Sequence, residues 1–272
     1  MTTLTQEGAS AAKRDGVPLV QMRGIEKSFG AVQALRGADL TLWPNEVLGL
    51  VGDNAAGKST LMKTLTGVHR PDAGEIRFAN AQVSFQSPRD SRAAGIEMIY
   101  QNLALAQNLD VVANVFLGRE HSRWIIPGLS WLDESRMEHE TRMLLDRLKI
   151  NVSSVRTNVE RMSGGQQQAI AIARAVAFRA RVVIMDEPTA SLAVKEVGKV
   201  LDIIRGLREA GVSVIIISHR LQDIFSVADR IMVLRTGRSV ADRPAKQFTM
   251  DEVVKYIVGA EADELNEIAP GR

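Results

Sequence analysis

Between a short apolar run and a stretch with helical spacing lies Gly52-Asp53-Asn54-Ala55-Ala56-Gly57-Lys58-Ser59, followed by Thr60. The run before it, Val47-Leu48-Gly49-Leu50-Val51, reads as a buried strand. Lys58–Thr66 after it reads as a helix stopped by Gly67 and Pro71. A G-x-x-x-x-G-K-[ST] pattern between a strand and a helix narrows the fold to an α/β chain whose turn cradles an anion. Successive backbone N–H groups make the nest, and the helix N-terminus adds positive potential. Lys58 is placed to reach β- and γ-phosphates, and the Ser59 hydroxyl to ligate Mg²⁺. A chance glycine-rich turn does not account for both flanking elements. The loop selects a nucleoside triphosphate, but small-molecule kinases, GTPases and motor ATPases share it.

The rest of the chain supports an α/β reading. Val182–Met185, Lys195–Ala210, Val214–Ile217 and Arg230–Leu234 read as strand, helix, strand and strand, the pattern of a mainly parallel sheet with helices on its faces. Gly24–Ser28, Ala38–Leu42 and Gly74–Phe78 suggest a small antiparallel sheet beside it. Val111–Leu117 and Glu134–Leu148 look helical, and Arg119–Trp131, with Pro127 and Gly128, reads as an exposed loop. The expected fold is thus a P-loop core with a small antiparallel β-subdomain and an inserted α-helical subdomain. The domain spans 18–260, with the helical insert at about 102–180. Residues 1–17, without periodicity, read as a disordered tail, and 261–272 as an acidic frayed end.

Composition removes several classes. The chain has no cysteine, which excludes disulfides, zinc–thiolate sites and thiol catalysis. A net charge of +2 and 4% aromatic residues argue against a nucleic-acid surface. No apolar run approaches the roughly 20 residues that span a bilayer, and Met1–Pro18 lacks the apolar core of a secretory signal.

Val182-Val183-Ile184-Met185-Asp186-Glu187 is an apolar strand ending in two acids. Burying it delivers both carboxylates to the C-terminal edge of the sheet, where ligands bind in open α/β folds. Asp186 is positioned to hold Mg²⁺ and Glu187 to reach the water that attacks the γ-phosphate. Acids also commonly cap strands; the independent phosphate loop favours the functional reading.

Met162-Ser163-Gly164-Gly165-Gln166-Gln167-Gln168 opens the helical stretch Ala169–Phe178, shortly before the strand that ends Asp-Glu-Pro. This arrangement resembles the ATP-binding cassette ATPases. Met162 stands where that family's signature begins with Leu, a volume-conserving exchange. The resemblance covers about Leu19 to Ala260. It implies that Gln101, in Ile99-Tyr100-Gln101-Asn102, is the Q-loop glutamine, acting in catalysis and as a Mg²⁺ contact. It implies that His219, in Ile217-Ser218-His219-Arg220, is the switch histidine, and that Phe29 stacks on adenine. In isolation a lone histidine is usually structural and Phe29 would be core; His69, His121 and His139 read as surface residues. The resemblance further implies that Ser163, Gly164, Gly165 and Gln166 face the nucleotide of an opposite subunit, so that two cassettes sandwich two ATP molecules head to tail. One cassette per chain then calls for a second copy of itself or a partner cassette.

Val51-Gly52-Asp53-Asn54, Ala94–Gln101 and Asn114–Arg119 are similar to the cassettes of ribose-, xylose- and fructose-type monosaccharide importers. That resemblance implies permease subunits, an extracytoplasmic solute-binding protein, no nucleic acid, and a cytoplasmic place on the inner face of the plasma membrane. A soluble non-transport ATPase of the same family and a small-molecule phosphotransferase are the alternatives; a phosphotransferase has no need of the signature. Two residues depart from the family pattern. Ala55 stands where glycine is common, and Ala193 where the D-loop often has aspartate. Leu103, Leu105, Val111 and Phe116 are candidates for an exposed surface that docks the permease; the competing reading packs them into the insert's own core.

Overall fold

β1 (Val20–Phe29) and β2 (Val32–Leu42) make an antiparallel hairpin, and β3 (Val47–Val51) runs into the phosphate loop and α1 (Lys58–Leu65). β4 (Ala73–Phe78), β5 (Ala81–Val83), α2 (Pro88–Ala93) and β6 (Ile96–Ile99) follow. The insert carries α3 (Val111–Phe116), β7 (Ser122–Ile126), β8 (Leu129–Leu132), α4 (Glu134–Arg147) and α5 (Gly164–Val176). Then come β9 (Val182–Asp186), α6 (Val194–Glu209), β10 (Ser213–Ile217), α7 (Leu221–Val227), β11 (Arg230–Arg235), β12 (Arg238–Pro244) and α8 (Met250–Val258). The structure is a computed structural model and describes residues 16–126 and 129–259. The two tails expected at 1–17 and 261–272 fall outside these residues except for Gly16 and Val17.

The main sheet has the order β12-β11-β3-β10-β9-β6, parallel apart from the edge strand β12. The inner strands β3, β9, β10 and β11 are buried on both faces, as parallel strands under covering layers must be. Leu48, Leu50, Val182, Ile184, Ile215 and Ile217 point into a core shared with Leu61, Met62 and Leu65 of α1 and the antiparallel sheet β2-β1-β4-β5. The alternate residues Val47, Val51, Val183, Met185, Val214 and Ile216 point into the second core, with α5 and α6. The period of two thus sorts each strand between two cores. Register sets the site: Ile217 pairs with Leu50 on one side and Asp186 on the other. The ends of β3, β10 and β9 therefore open onto one edge.

Four expectations change. Arg119–Trp131 is not simply a loop: β7 and β8 pair antiparallel, Ser122 opposite Leu132 and Arg123 opposite Trp131. The sequences of both strands contain an aromatic residue, which favours a hairpin; Pro127 and Gly128 lie outside the described residues. The insert at about 102–180 is accordingly not purely helical. A helix, α7, separates β10 from β11, capped late by Ala228 and too short to show a clear period. Val111 and Phe116 are 0% and 3% exposed and belong to the insert's core, and Leu103 and Leu105 are partly buried against it. A six-residue helix seated on α4 and α5 can bury both ends of its apolar face, which the sequence pattern does not reveal. Among the described residues, no helix is long and apolar enough to cross a membrane.

Candidate functional site

The phosphate loop is forced into shape by contacts on its outer side. A Cβ on Gly52 would lie 2.1 Å from the Leu234 carbonyl oxygen, so no larger residue fits there. Gly57, the N-cap of α1, has φ 103° and would place a Cβ 2.8 Å from the Ala34 oxygen. Lys58 Nζ donates to the carbonyls of Gly52 (2.7 Å) and Asp53 (2.9 Å), closing the loop over itself. Burial pulls the Lys58 ammonium below its ordinary pKa, while Glu187, Asp186 and Asp53 push it back up.

The paired acids arrive as expected, and with a division of labour. Asp186 ends β9, and Ser59 Oγ donates to its Oδ2 at 3.3 Å across a sequence separation of 127. Burial raises the Asp186 pKa, opposed by the Ser59 hydrogen bond and by Lys58. Glu187 sits at φ 53°, a left-handed conformation costly for a residue with a Cβ. Its backbone N–H donates to the Ile217 carbonyl at 2.9 Å, which holds that turn. His219 donates its backbone N–H to Glu187 Oε1 at 3.1 Å and brings Nδ1 within 2.8 Å of Oε2. The Oε2 atom itself is buried beside that imidazole nitrogen.

These groups line a cleft of about 620 Å³. Asn54, Ala55, Ala56, Gly57, Lys58, Ser59, Thr60, Gln101, Asp186 and Glu187 all reach it. Gly52 and Asp53 support it from behind, and His219 reaches it through Glu187. Phe29 does not line it. The residue is 44% exposed, and its ring packs edge-on against His69 at 5.0 Å, under Lys27 at 5.7 Å. His69 therefore has a partner, and so does His121, which meets Glu140 Oε2 at 2.8 Å. The signature residues lie apart from the cleft as the N-terminus of α5. Ser163 and Gln166 form a reciprocal capping box, Gln166 N–H to Ser163 Oγ at 3.3 Å and Ser163 N–H to Gln166 Oε1 at 3.1 Å. Ser163 and Gly164 are exposed, while Met162 is buried in leucine's place.

A phosphate loop, a strand-end acid pair, a cleft-lining glutamine and an exposed Ser-Gly-Gly-Gln helix start thus occur in one chain, and residues 35–190 match the family model described as ABC transporter. The chain belongs to the ABC transporter family. Fructose import ATP-binding protein FrcA of Rhizobium meliloti is 43% identical over 93% of this chain and 98% of its own length. Xylose/arabinose import ATP-binding protein XylG of Sulfolobus acidocaldarius is 42% identical, over 91% and 97%. Ribose import ATP-binding protein RbsA 1 of Streptomyces coelicolor is 43% identical, but this chain spans only 50% of it. Among solved structures, an ABC-transporter ATP-binding cassette in its ADP conformation is similar with TM-score 0.77 at 24% identity, over 92% of this chain and 99% of that one. A dimeric cassette bound to ADP and Pi is similar with TM-score 0.69 at 22% identity, over 84% and 100%. These likenesses confirm the ABC cassette fold.

Two findings go beyond the sequence reading of this ABC cassette. Val32, Gln33, Ala34, Arg36, Ile217 and Thr236 also line the cleft. Their backbone is tied to the loop: Gly237 N–H donates to Ala56 O at 2.9 Å, and Arg36 N–H to Gly237 O at 2.8 Å. The only advance signal was the Phe29-Gly30 turn, which marks a hairpin but not its register. The second finding is that Ala55 has φ 65°. Left-handed geometry costs an L-residue about 1–2 kcal/mol, so Ala55→Gly should stabilise the chain by about 1 kcal/mol and raise Tm by roughly 2–4 °C in a thermal melt. A lower Tm would show that the loop does not strain Ala55.

Proposed function

We propose that this ABC cassette hydrolyses ATP as the motor subunit of an importer for a small solute, a monosaccharide. The observation that carries the hydrolytic part is the Glu187 carboxylate at the strand end on the wall of the phosphate cleft, one residue past Asp186 and held by the His219 N–H. The nest of 52–59 and Lys58 hold the triphosphate. Glu187 accepts a proton from a water as its oxygen attacks the γ-phosphorus; the bond to the β–γ bridging oxygen breaks and ADP leaves. His219 fixes the Glu187 carboxylate through its backbone N–H. Ser59 Oγ and Asp186 Oδ2 are hard oxygen donors of the kind Mg²⁺ takes, with Gln101 also at the cleft. Mg²⁺ held there would neutralise charge developing on the phosphates.

The exposed signature supports pairing with a second copy, whose γ-phosphate it would face. The relatives named for fructose and xylose/arabinose import support a monosaccharide, and with it a permease and a solute-binding protein. A groove of about 270 Å³ between the parallel sheet and the insert is the docking place we assign to the permease; Tyr100 (38% exposed), Leu117 (48%), Arg119 and Phe178 line it. It replaces the surface expected at Val111 and Phe116. Peripheral attachment at the inner membrane face follows from that partner.

Mixing subunits tests the arrangement. Ser163→Arg and Lys58→Ala chains should each be inactive alone. A mixed dimer keeps one composite site, with the loop of the first and the signature of the second, and should recover part of the parent ATPase rate. In cells deleted for the chain, co-expression should likewise restore part of the uptake of a labelled monosaccharide. ATPase activity from Ser163→Arg chains alone would sink the two-subunit site; intact sugar uptake without the chain would sink the transport role.

A further inference from the structure

The signature helix and the Gln101 segment are joined far from the nucleotide. Arg174 lies in the last turn of α5, eleven residues beyond Ser163 and so about 16 Å along the axis. Its guanidinium forks onto two adjacent carbonyls, Nη1 to Ala104 O at 2.8 Å and Nη2 to Leu103 O at 2.7 Å. Those residues follow Gln101 by two and three positions. Ala104 is held at φ 48°, with its N–H on Asn102 Oδ1 at 3.2 Å, a conformation a residue with a Cβ keeps only when its surroundings impose it. The same segment is tied to the front of α5. Gln107 Nε2 meets Gln167 Oε1 at 3.4 Å, the Glu160 N–H donates to Gln107 O at 3.0 Å, and the Val159 N–H to Leu109 O at 3.0 Å. Residues 103–110 thus run as a strap along the helix, fastened at both ends.

We infer that Arg174 is a positioning residue that makes the Gln101 segment and the signature helix one mechanical unit, holding Ser163 in a fixed relation to Gln101 when it faces the nucleotide of the other subunit. The inference rests on the two-subunit reading above. Its physical basis is the fork: hydrogen bonds to a charged donor are each stronger than neutral ones. Tearing them would leave a partly buried guanidinium and two carbonyls unpaired, so the strap and helix move together. A lysine offers a point charge and cannot span both carbonyls in one plane.

Arg174→Met and Arg174→Lys, with the full chain, test this by separating binding from turnover. Affinity for a fluorescent ATP analogue should stay within about twofold, because the loop is untouched. The kcat of steady-state ATPase should fall roughly ten- to hundredfold in Arg174→Met with KM little changed, as expected when reacting groups are misaligned. Arg174→Lys should be intermediate. In a Glu187→Gln background, ATP-driven dimer should also decline. Parent-like kcat in a folded Arg174→Met chain overturns the inference. So does loss of affinity in step with kcat and a fallen Tm, which would make Arg174 merely structural. No ATP-driven dimer in Glu187→Gln alone would instead count against the two-subunit reading.

Discussion

Glu187→Gln should bind ATP with near-parent affinity, lose steady-state hydrolysis by about 10²–10⁴-fold, and accumulate as an ATP-bound dimer. The amide keeps the side chain's shape and the Oε1 position that accepts the His219 N–H at 3.1 Å. It replaces the carboxylate with a group that cannot take a proton. The strained φ of 53° at Glu187 makes this position intolerant of relocation, so no neighbour substitutes for it. Asp186 cannot, because its Oδ2 is already engaged by Ser59. Steady-state ATPase measurements check the loss, and size-exclusion chromatography with ATP checks the dimer. Near-normal hydrolysis would remove Glu187 from the chemistry.

Lys58→Ala should abolish ATP binding at millimolar nucleotide while leaving the fold intact. Lys58 sits inside the nest; Arg36, the other cation lining the cleft, comes from β2. The ammonium rests on Gly52 O and Asp53 O, and the phosphate oxygens of a bound nucleotide would exchange with those carbonyls. Hydrogen bonds to a charged donor contribute about 1.5–3 kcal/mol each, so losing two weakens ATP by roughly a hundredfold or more. Lys58 belongs to neither apolar core, so melting temperature should change little. Calorimetric titration decides: unchanged affinity would mean that phosphates bind elsewhere.

The two expectations that failed most clearly did so for a common reason. The apolar run at Val111–Phe116 was legible, but apolar residues in a short helix serve a core or a docking face equally well. Only the packing of α3 on α4 and α5 assigned them to the core. The hairpin of β7 and β8 was masked in the same way. Its residues have strand propensity, yet a Pro-Gly pair looks the same in a loop and in a turn until the partner strand is seen. Conversely, the apolar stripe Ile170, Ile172 and Val176 of α5 is only 0%, 0% and 7% exposed. A long helix against a sheet leaves such a stripe no alternative.

What the sequence by itself determined was local. The nest of 52–59, the start of α1, the Ser163 cap and the strand delivering Asp186 and Glu187 depend on residues a few positions apart. Glycine's freedom, capping chemistry and apolar period act at that range. What only the tertiary structure decided was everything that depends on register between distant strands. Ile217 pairing with both Leu50 and Asp186 put Ser59 within 3.3 Å of a carboxylate 127 residues away. The hydrogen bonds through Gly237 brought Arg36 and Thr236 to the cleft wall. The contact of His219 with Glu187, and the fork of Arg174 on the Gln101 segment, are likewise products of packing. A one-residue shift in a strand would turn its side chains to the other core without altering its composition, so such contacts are written in the fold and not in any single stretch of chain.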